Sequence, residues 1–238
     1  MNTEASLSLK PPKGSKTLFL LTEMDRLLAL SMLFSCLLVS IRMIHTGRSN
    51  YVFLIWNLFL AYVPYFITAC LERRSQWVTH KPLFTLLFLV WLVCIPNSFY
   101  IITDLYHLSD NHGGGGLRQA PQWLDLAMIL SFAWNGLLLG VLSVRQMEKV
   151  LHPFLPARHE LFFLYPIMWL NALGVYIGRY LRYNSWDVIT DPFRLFADIA
   201  RIIIHPLRNQ YAWDMIFTFS ILMTLMYLML KRISKALA

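Results

Sequence analysis

Two short stretches of this sequence carry the residues that could do chemistry. The first is Pro96-Asn97-Ser98-Phe99-Tyr100-Ile101-Ile102-Thr103-Asp104-Leu105-Tyr106-His107-Leu108. If a helix runs through it, Asn97, Tyr100, Asp104 and His107 fall at i, i+3, i+7 and i+10 and share one face. A carboxylate and an imidazole one turn apart can exchange protons, can act as a base and the group that orients it, or can supply two ligands of a metal site. The second is Gly178-Arg179-Tyr180-Leu181-Arg182-Tyr183-Asn184-Ser185-Trp186-Asp187, with two guanidiniums, an indole and a carboxylate. Unpaired, Arg179 and Arg182 offer bidentate sites for phosphate or carboxylate. Paired, Arg182 with Asp104 and Arg179 with Asp187 would clasp two helix ends together.

What must position these residues is a membrane bundle. Of the 238 residues, 57% are hydrophobic and 14% charged, and the mean hydropathy is +0.52, which leaves too little polar surface for a soluble globule. Apolar runs near the length of a bilayer span predict six transmembrane helices, over Leu27–Ile44, Tyr51–Leu71, Leu83–Thr103, Trp123–Val144, Leu161–Gly178 and Trp213–Leu230. The expected fold is therefore all-α, a polytopic helical bundle forming a single membrane domain over residues 17–238, preceded by a flexible tail over 1–16. Asp191-Pro192 predicts the start of a short helix, with Asp191 as N-cap and Pro192 in its first turn. Phe193, Leu195, Phe196, Ile199, Ile202 and Ile203 recur along it at helical spacing, opposite Arg194, Asp198, Arg201 and His205. Such a helix either lies in the interface plane or packs over the bundle.

The net charge of +8 is spread between the apolar runs rather than gathered in one basic block, which argues for topology and against nucleic-acid binding. Lys10, Lys13, Lys16 and Arg26 precede the first span, Arg73, Arg74 and Lys81 fill the second loop, and Lys231, Arg232 and Lys235 end the chain. That pattern predicts both termini on the cytoplasmic side. In any six-span scheme helices three and five run in the same direction, so Asp104, His107, Arg179 and Arg182 emerge on one membrane face. Gly136-x-x-x-Gly140 and Gly174-x-x-x-Gly178 predict close packing of helices four and five with each other or with helix three. Cys36, Cys70 and Cys94 lie in apolar runs without metal-site spacing and read as small hydrophobes. Gly113 to Gly116 have no following Gly-Lys-Ser or Gly-Lys-Thr, so they read as a linker, or a lid, and not a P-loop.

The blocks Pro96, Asn97, Tyr100, Thr103, Asp104, Leu105, His107, Leu108 and Gly178, Arg179, Arg182, Asn184, Ser185, Trp186, Asp187 resemble the paired signature of the bacterial DUF1361 membrane proteins. The similarity extends over roughly residues 27–230. It implies an integral protein of the bacterial cytoplasmic membrane and transfers no reaction, cofactor or substrate. Three functions fit the residues. The cluster of Asn97, Tyr100, Asp104, His107, Arg179, Arg182, Trp186 and Asp187 binds or transports an anionic or lipid-linked substrate. Alternatively, it is the site of a membrane-embedded enzyme, in which Asp104 and His107 hold a metal or act as base, with Asp125 or Asp187 contributing. In the third reading it is a clasp inside a non-catalytic scaffold. The partner common to all three is the lipid bilayer.

Overall fold

The computed structural model describes residues 22–108, 121–152 and 160–236. The N-terminal tail and the glycine run at Gly113–Gly116 lie outside them.

Helix α1, Glu23–Thr46, starts at a capping box in which the Thr22 hydroxyl accepts from the Asp25 backbone N–H while the Asp25 carboxylate accepts from that of Thr22. It stops at Gly47, whose φ of 67° supplies the left-handed C-cap. Helix α2, Phe53–Arg73, returns across the bundle and leads through the short α3, Ser75–Thr79, into α4, Lys81–Cys94. Pro96 opens a separate short helix, α5, Pro96–Tyr100, because a proline lacks the N–H that would continue the ladder. The chain then tightens into a 3₁₀ segment, Ile101–Leu108. Together Lys81–Leu108 form the third spanning unit, of 28 residues.

Helix α6, Gln122–Leu151, is the longest, and α7, Glu160–Tyr176, follows it and ends in a π-helical turn, Ile177–Leu181. After α8, Asp187–Thr190, comes α9, Pro192–Ile204, which begins at the expected proline. Asp191 is its N-cap residue, but its carboxylate makes no capping hydrogen bond. A 3₁₀ turn at Pro206–Arg208 leads to α10, Gln210–Ala236.

The architecture is all-α, and five helical units are long and apolar enough to cross a membrane: α1, α2, Lys81–Leu108, α6 and α10. The remaining expected span, the fifth, is α7, which is shorter at 17 residues and is extended by the π turn. Helix α6 is the central strut, with 61% of its apolar stretch buried against 28% in α1 and α10. Leu27, Leu30, Phe34 and Leu37 on α1, Leu86 and Leu89 on α4, and Ile221, Leu225 and Met229 on α10 face outward. So much outward apolar surface suits a bilayer and not water.

Lipid removes most of the hydrophobic drive for helices to associate, so close backbone approach and interhelical hydrogen bonds must hold the bundle. Both are present. The Trp91 indole N–H donates to the Ser143 hydroxyl at 2.8 Å, and Thr68 links that hydroxyl to the Gln146 side chain. The Asn135 amide donates to the Ser35 hydroxyl at 2.9 Å and to the Ser31 carbonyl at 3.2 Å, tying α6 to α1.

The glycine faces of α6 and α7 meet not each other but the same piece of the third unit, from opposite sides. A Cβ on Gly136 would stand 2.6 Å from the Ser98 carbonyl, and one on Gly140 would stand 2.9 Å from the Phe99 ring. A Cβ on Gly174 would stand 2.6 Å from Pro96 Cγ. A third contact comes from α2, where the Ser98 hydroxyl donates to the Ala61 carbonyl at 2.8 Å. Ala61 lies in the turn before Pro64, where the helical ladder is already disturbed. Segment Pro96–Ile101 is thus clamped on three sides, and the residues that follow it inherit a fixed position.

The three cysteines are free thiols, each half-buried among the helices.

Candidate functional site

The site is built where the clamped segment leaves the bundle. An α-helix through 97–107 would keep Asn97, Tyr100, Asp104 and His107 on one stripe, but the change to 3₁₀ winding at Ile101 divides that stripe. Ile101 and Asp104, three residues apart, both face inward and are fully buried. Asn97 faces the loop after α7, and its amide donates to the Ser185 hydroxyl at 2.8 Å.

Asp104 is paired, and its cation is Arg179. One guanidinium nitrogen donates to Asp104 Oδ1 at 3.1 Å and lies 3.4 Å from the Tyr100 hydroxyl. The other donates to the Thr103 carbonyl at 3.0 Å and sits 3.4 Å from His107 Nε2. The second carboxylate oxygen accepts from the Asn57 amide on α2 at 3.0 Å. The rings of Tyr100 and Tyr106 lie 5.8 and 5.6 Å from the guanidinium carbon, within cation–π range. A charge taken this far from water is tolerable only when so completely answered.

Arg182, the expected partner of Asp104, lies elsewhere because of the π turn. In an α-helix, residues three apart are neighbours on one face. Here the Arg182 N–H reaches back to the Ile177 carbonyl, five residues earlier, and the widened turn carries the second arginine away from the first. Arg182 has φ 61° and ψ 30°, a left-handed conformation that no other non-glycine shows among the described residues. Its side chain is exposed, with no hydrogen bond or ion pair among the described residues.

Asp187 does not meet Arg179 either. Its carboxylate accepts from the Asn184 backbone N–H at 2.6 Å and from the Thr190 hydroxyl at 2.9 Å. The Asn184 N–H is the main reason its carboxyl is held below the usual carboxylate range. Trp186 meets the Trp56 ring edge-on at 6.5 Å, which fastens the loop to α2. The Tyr183 hydroxyl donates to Asp198 at 2.8 Å, so the same loop is also fastened to α9.

Beside this clasp lies a cleft of 480 Å³. Its apolar lining comes from Leu60 of α2, Leu92 and Val93 of α4, and Leu173 of α7, with Asn57 of α2 beside them. Its rim is polar: Asn97, Tyr100, Arg182, Asn184 and Ser185. Leu195, Phe196 and Ile199 of α9 roof it. Helices α4 and α7 make no extended contact of their own and are bridged by α5. Leu170 of α7 borders the cleft and is exposed.

Of the expected cluster, Asn97, Tyr100 and Arg182 line the cleft, while Asp104, His107, Arg179, Trp186 and Asp187 do not. Tyr100 is common to both features, bordering the cleft with its hydroxyl against Arg179. Among the described residues no three His, Cys, Asp or Glu side chains converge as a metal site would need. Asp125, which the enzyme reading recruited, instead faces Arg42 of α1 at 2.5 Å in a second buried ion pair. The Arg42 guanidinium lies 4.1 Å above the Tyr51 ring, and the Tyr51 hydroxyl donates to the His107 carbonyl. The signal for that pair was an arginine inside the apolar run of the first span, where an ionisable residue needs a partner. Asn57 had the same kind of signal, an amide in the middle of an apolar run. Asn184 and Ser185 carried none beyond their place in the second block.

The family profile described as "Protein of unknown function (DUF1361)" matches residues 56–227. The chain belongs to the DUF1361 family. No curated protein and no solved structure matches it. The DUF1361 region takes in both arginines, Asp104 and all the residues that line the cleft, and leaves α1, with Arg42, outside.

Proposed function

We propose that this DUF1361 protein binds a lipid or lipid-linked molecule in the cleft between α4 and α7, with the polar head at the rim and the chain against the apolar wall. The observation that carries the reading is a cleft lined by both apolar and polar side chains and bordered by the exposed Leu170, with Arg182 in its lining as a guanidinium unpaired among the described residues. Cavities of several hundred Å³, mostly apolar with a few convergent polar groups, are the usual form of small-molecule sites. Arg182 is the group available to an anionic head. Arg179 and Asp104 form the interhelix clasp that holds the cleft's floor, which merges part of the scaffold reading with the binding one. The head would sit on the extracytoplasmic side of a bacterial cytoplasmic membrane, with both termini inside. There α9, which leaves Phe193, Phe196, Ile203 and Ile204 uncovered, would lie along the interface.

The test is native mass spectrometry of protein extracted in mild detergent, comparing wild type with Leu170→Trp. Leu170 is 38% exposed and borders the cleft, so the indole fills its entrance without invading the core. Retained lipid on wild type and its loss from the variant are the expected results. Equal retention by both would place the bound lipid elsewhere.

A further inference from the structure

We infer that the cleft takes a phosphomonoester head, a lipid or lipid-linked molecule ending in phosphate with no ammonium group. This rests on the preceding reading of the cleft as a lipid site and adds which head it selects.

Charge is the first argument. Among the residues that line the cleft, Arg182 is the one charged side chain. Three of the neighbouring carboxylates are engaged, and the fourth, Asp191, is exposed and does not line the cleft. Asp104 holds Asn57 and Arg179, Asp187 holds the Asn184 N–H and Thr190, and Asp198 holds Tyr183 and Arg201. A zwitterionic head would bring its ammonium beside a guanidinium with no carboxylate in the cleft lining to answer it. An anionic head leaves nothing unanswered.

Hydrogen-bond polarity is the second. The Ser185 hydroxyl oxygen accepts from Asn97, and the Tyr100 hydroxyl oxygen faces Arg179, so the proton of each hydroxyl is free to be donated. With Arg182 these give the rim its donors, beside the amides of Asn97 and Asn184. A terminal phosphate, with a charge of about −1.5 to −2 and three strong acceptor oxygens, matches such a rim better than a diester. The third argument is the backbone of Arg182, a left-handed conformation that an arginine adopts only at a cost. Strain of this kind gathers at ligand sites, and here it falls on the cation that lines the cleft.

The experiment uses the full chain in phosphatidylcholine nanodiscs doped with phosphatidic acid, phosphatidylglycerol or phosphatidylethanolamine, with inorganic phosphate as a separate arm. Binding is read by native mass spectrometry for wild type, Arg182→Gln, Arg182→Lys and Leu170→Trp. Phosphatidic acid is expected to bind tightest and phosphatidylethanolamine weakest. Arg182→Gln should weaken phosphatidic acid by about ten- to hundredfold, the equivalent of one charged hydrogen-bonding partner, and leave phosphatidylethanolamine unchanged. Arg182→Lys, which keeps the charge but not the fork, should lie between. Equal binding of phosphatidic acid and phosphatidylethanolamine by wild type overturns the head selection while the lipid site stands. Competition by inorganic phosphate as effective as that of a short-chain phosphatidic acid makes the ligand a free anion and overturns the lipid assignment. Undiminished binding to Leu170→Trp overturns the cleft as the site.

Discussion

The Arg179–Asp104 pair is not symmetric, and its two halves should fail unequally. Asp104 is fully buried, whereas the Arg179 side chain is 16% exposed. Arg179→Gln leaves a carboxylate in the bundle with one hydrogen bond, from Asn57, and should destabilise by about 3–5 kcal/mol, the range for stranding one partner of a buried pair. Asp104→Asn leaves a guanidinium that keeps the Thr103 carbonyl, the Tyr100 hydroxyl and some solvent. Its loss is nearer to that of a charge-assisted hydrogen bond, about 1.5–3 kcal/mol. The double variant contains no stranded charge, so it should be more stable than Arg179→Gln alone. Equilibrium unfolding in mixed micelles, followed by tryptophan fluorescence over a series of dodecyl sulfate fractions, measures all four proteins. If Asp104→Asn is the more damaging single change, or if the double variant is additive, the account of Asp104 as a buried charge answered chiefly by Arg179 is refuted.

The two glycines of α7 should behave differently under the same unfolding assay. Gly174→Ala drives a methyl into the rigid Pro96 ring and should cost about 1–3 kcal/mol, whereas the added carbon at Gly178 meets Tyr100 at an ordinary 3.4 Å and should change stability by less than about 0.5 kcal/mol. Arg182→Gly relieves a left-handed φ and should raise stability by about 1 kcal/mol in unfolding measurements, yet abolish selective lipid binding in the nanodisc assay. Asp187 has a carboxyl held below its usual range, so its contribution to loop order is complete above the ordinary carboxylate value and is lost as the pH falls through the lowered one. Protease nicking near Asn184 should therefore distinguish wild type from Asp187→Asn at neutral pH, and the difference should vanish on acidification.

Helix positions were legible in the sequence because a bilayer imposes a length and a polarity on each span, and α1, α2, α6 and α10 follow that pattern. The shared face of the third and fifth spans was legible from connectivity alone. What the sequence hid were departures from regular winding. Asn97, Tyr100, Asp104 and His107 align only if the helix stays α beyond Ile101, and periodicity carries no mark of a 3₁₀ segment. Arg182 is the expected partner of Asp104 only if the turn at Ile177 is α as well. The glycine motifs told that backbones approach closely but not which ones, since the same spacing serves any neighbour. The cleft was not legible at all, for it arises where α4 and α7 make no extended contact, and a gap between helices has no residue of its own.

The widened turn at Ile177–Leu181 acts as a register shift of one residue, and its removal should exchange two roles. Deleting a single position there would restore regular winding and swing Arg182 toward the bundle, where the two arginines would compete for Asp104. The cleft would then open onto uncharged donors alone. A protein so altered should stay folded and membrane-inserted, and on the lipid-head reading proposed above its binding should shift from phosphate toward neutral, sugar-like or glycerol-like heads. The separation of the clasped Arg179 from the exposed Arg182 is, in this fold, a matter of one amino acid in the count.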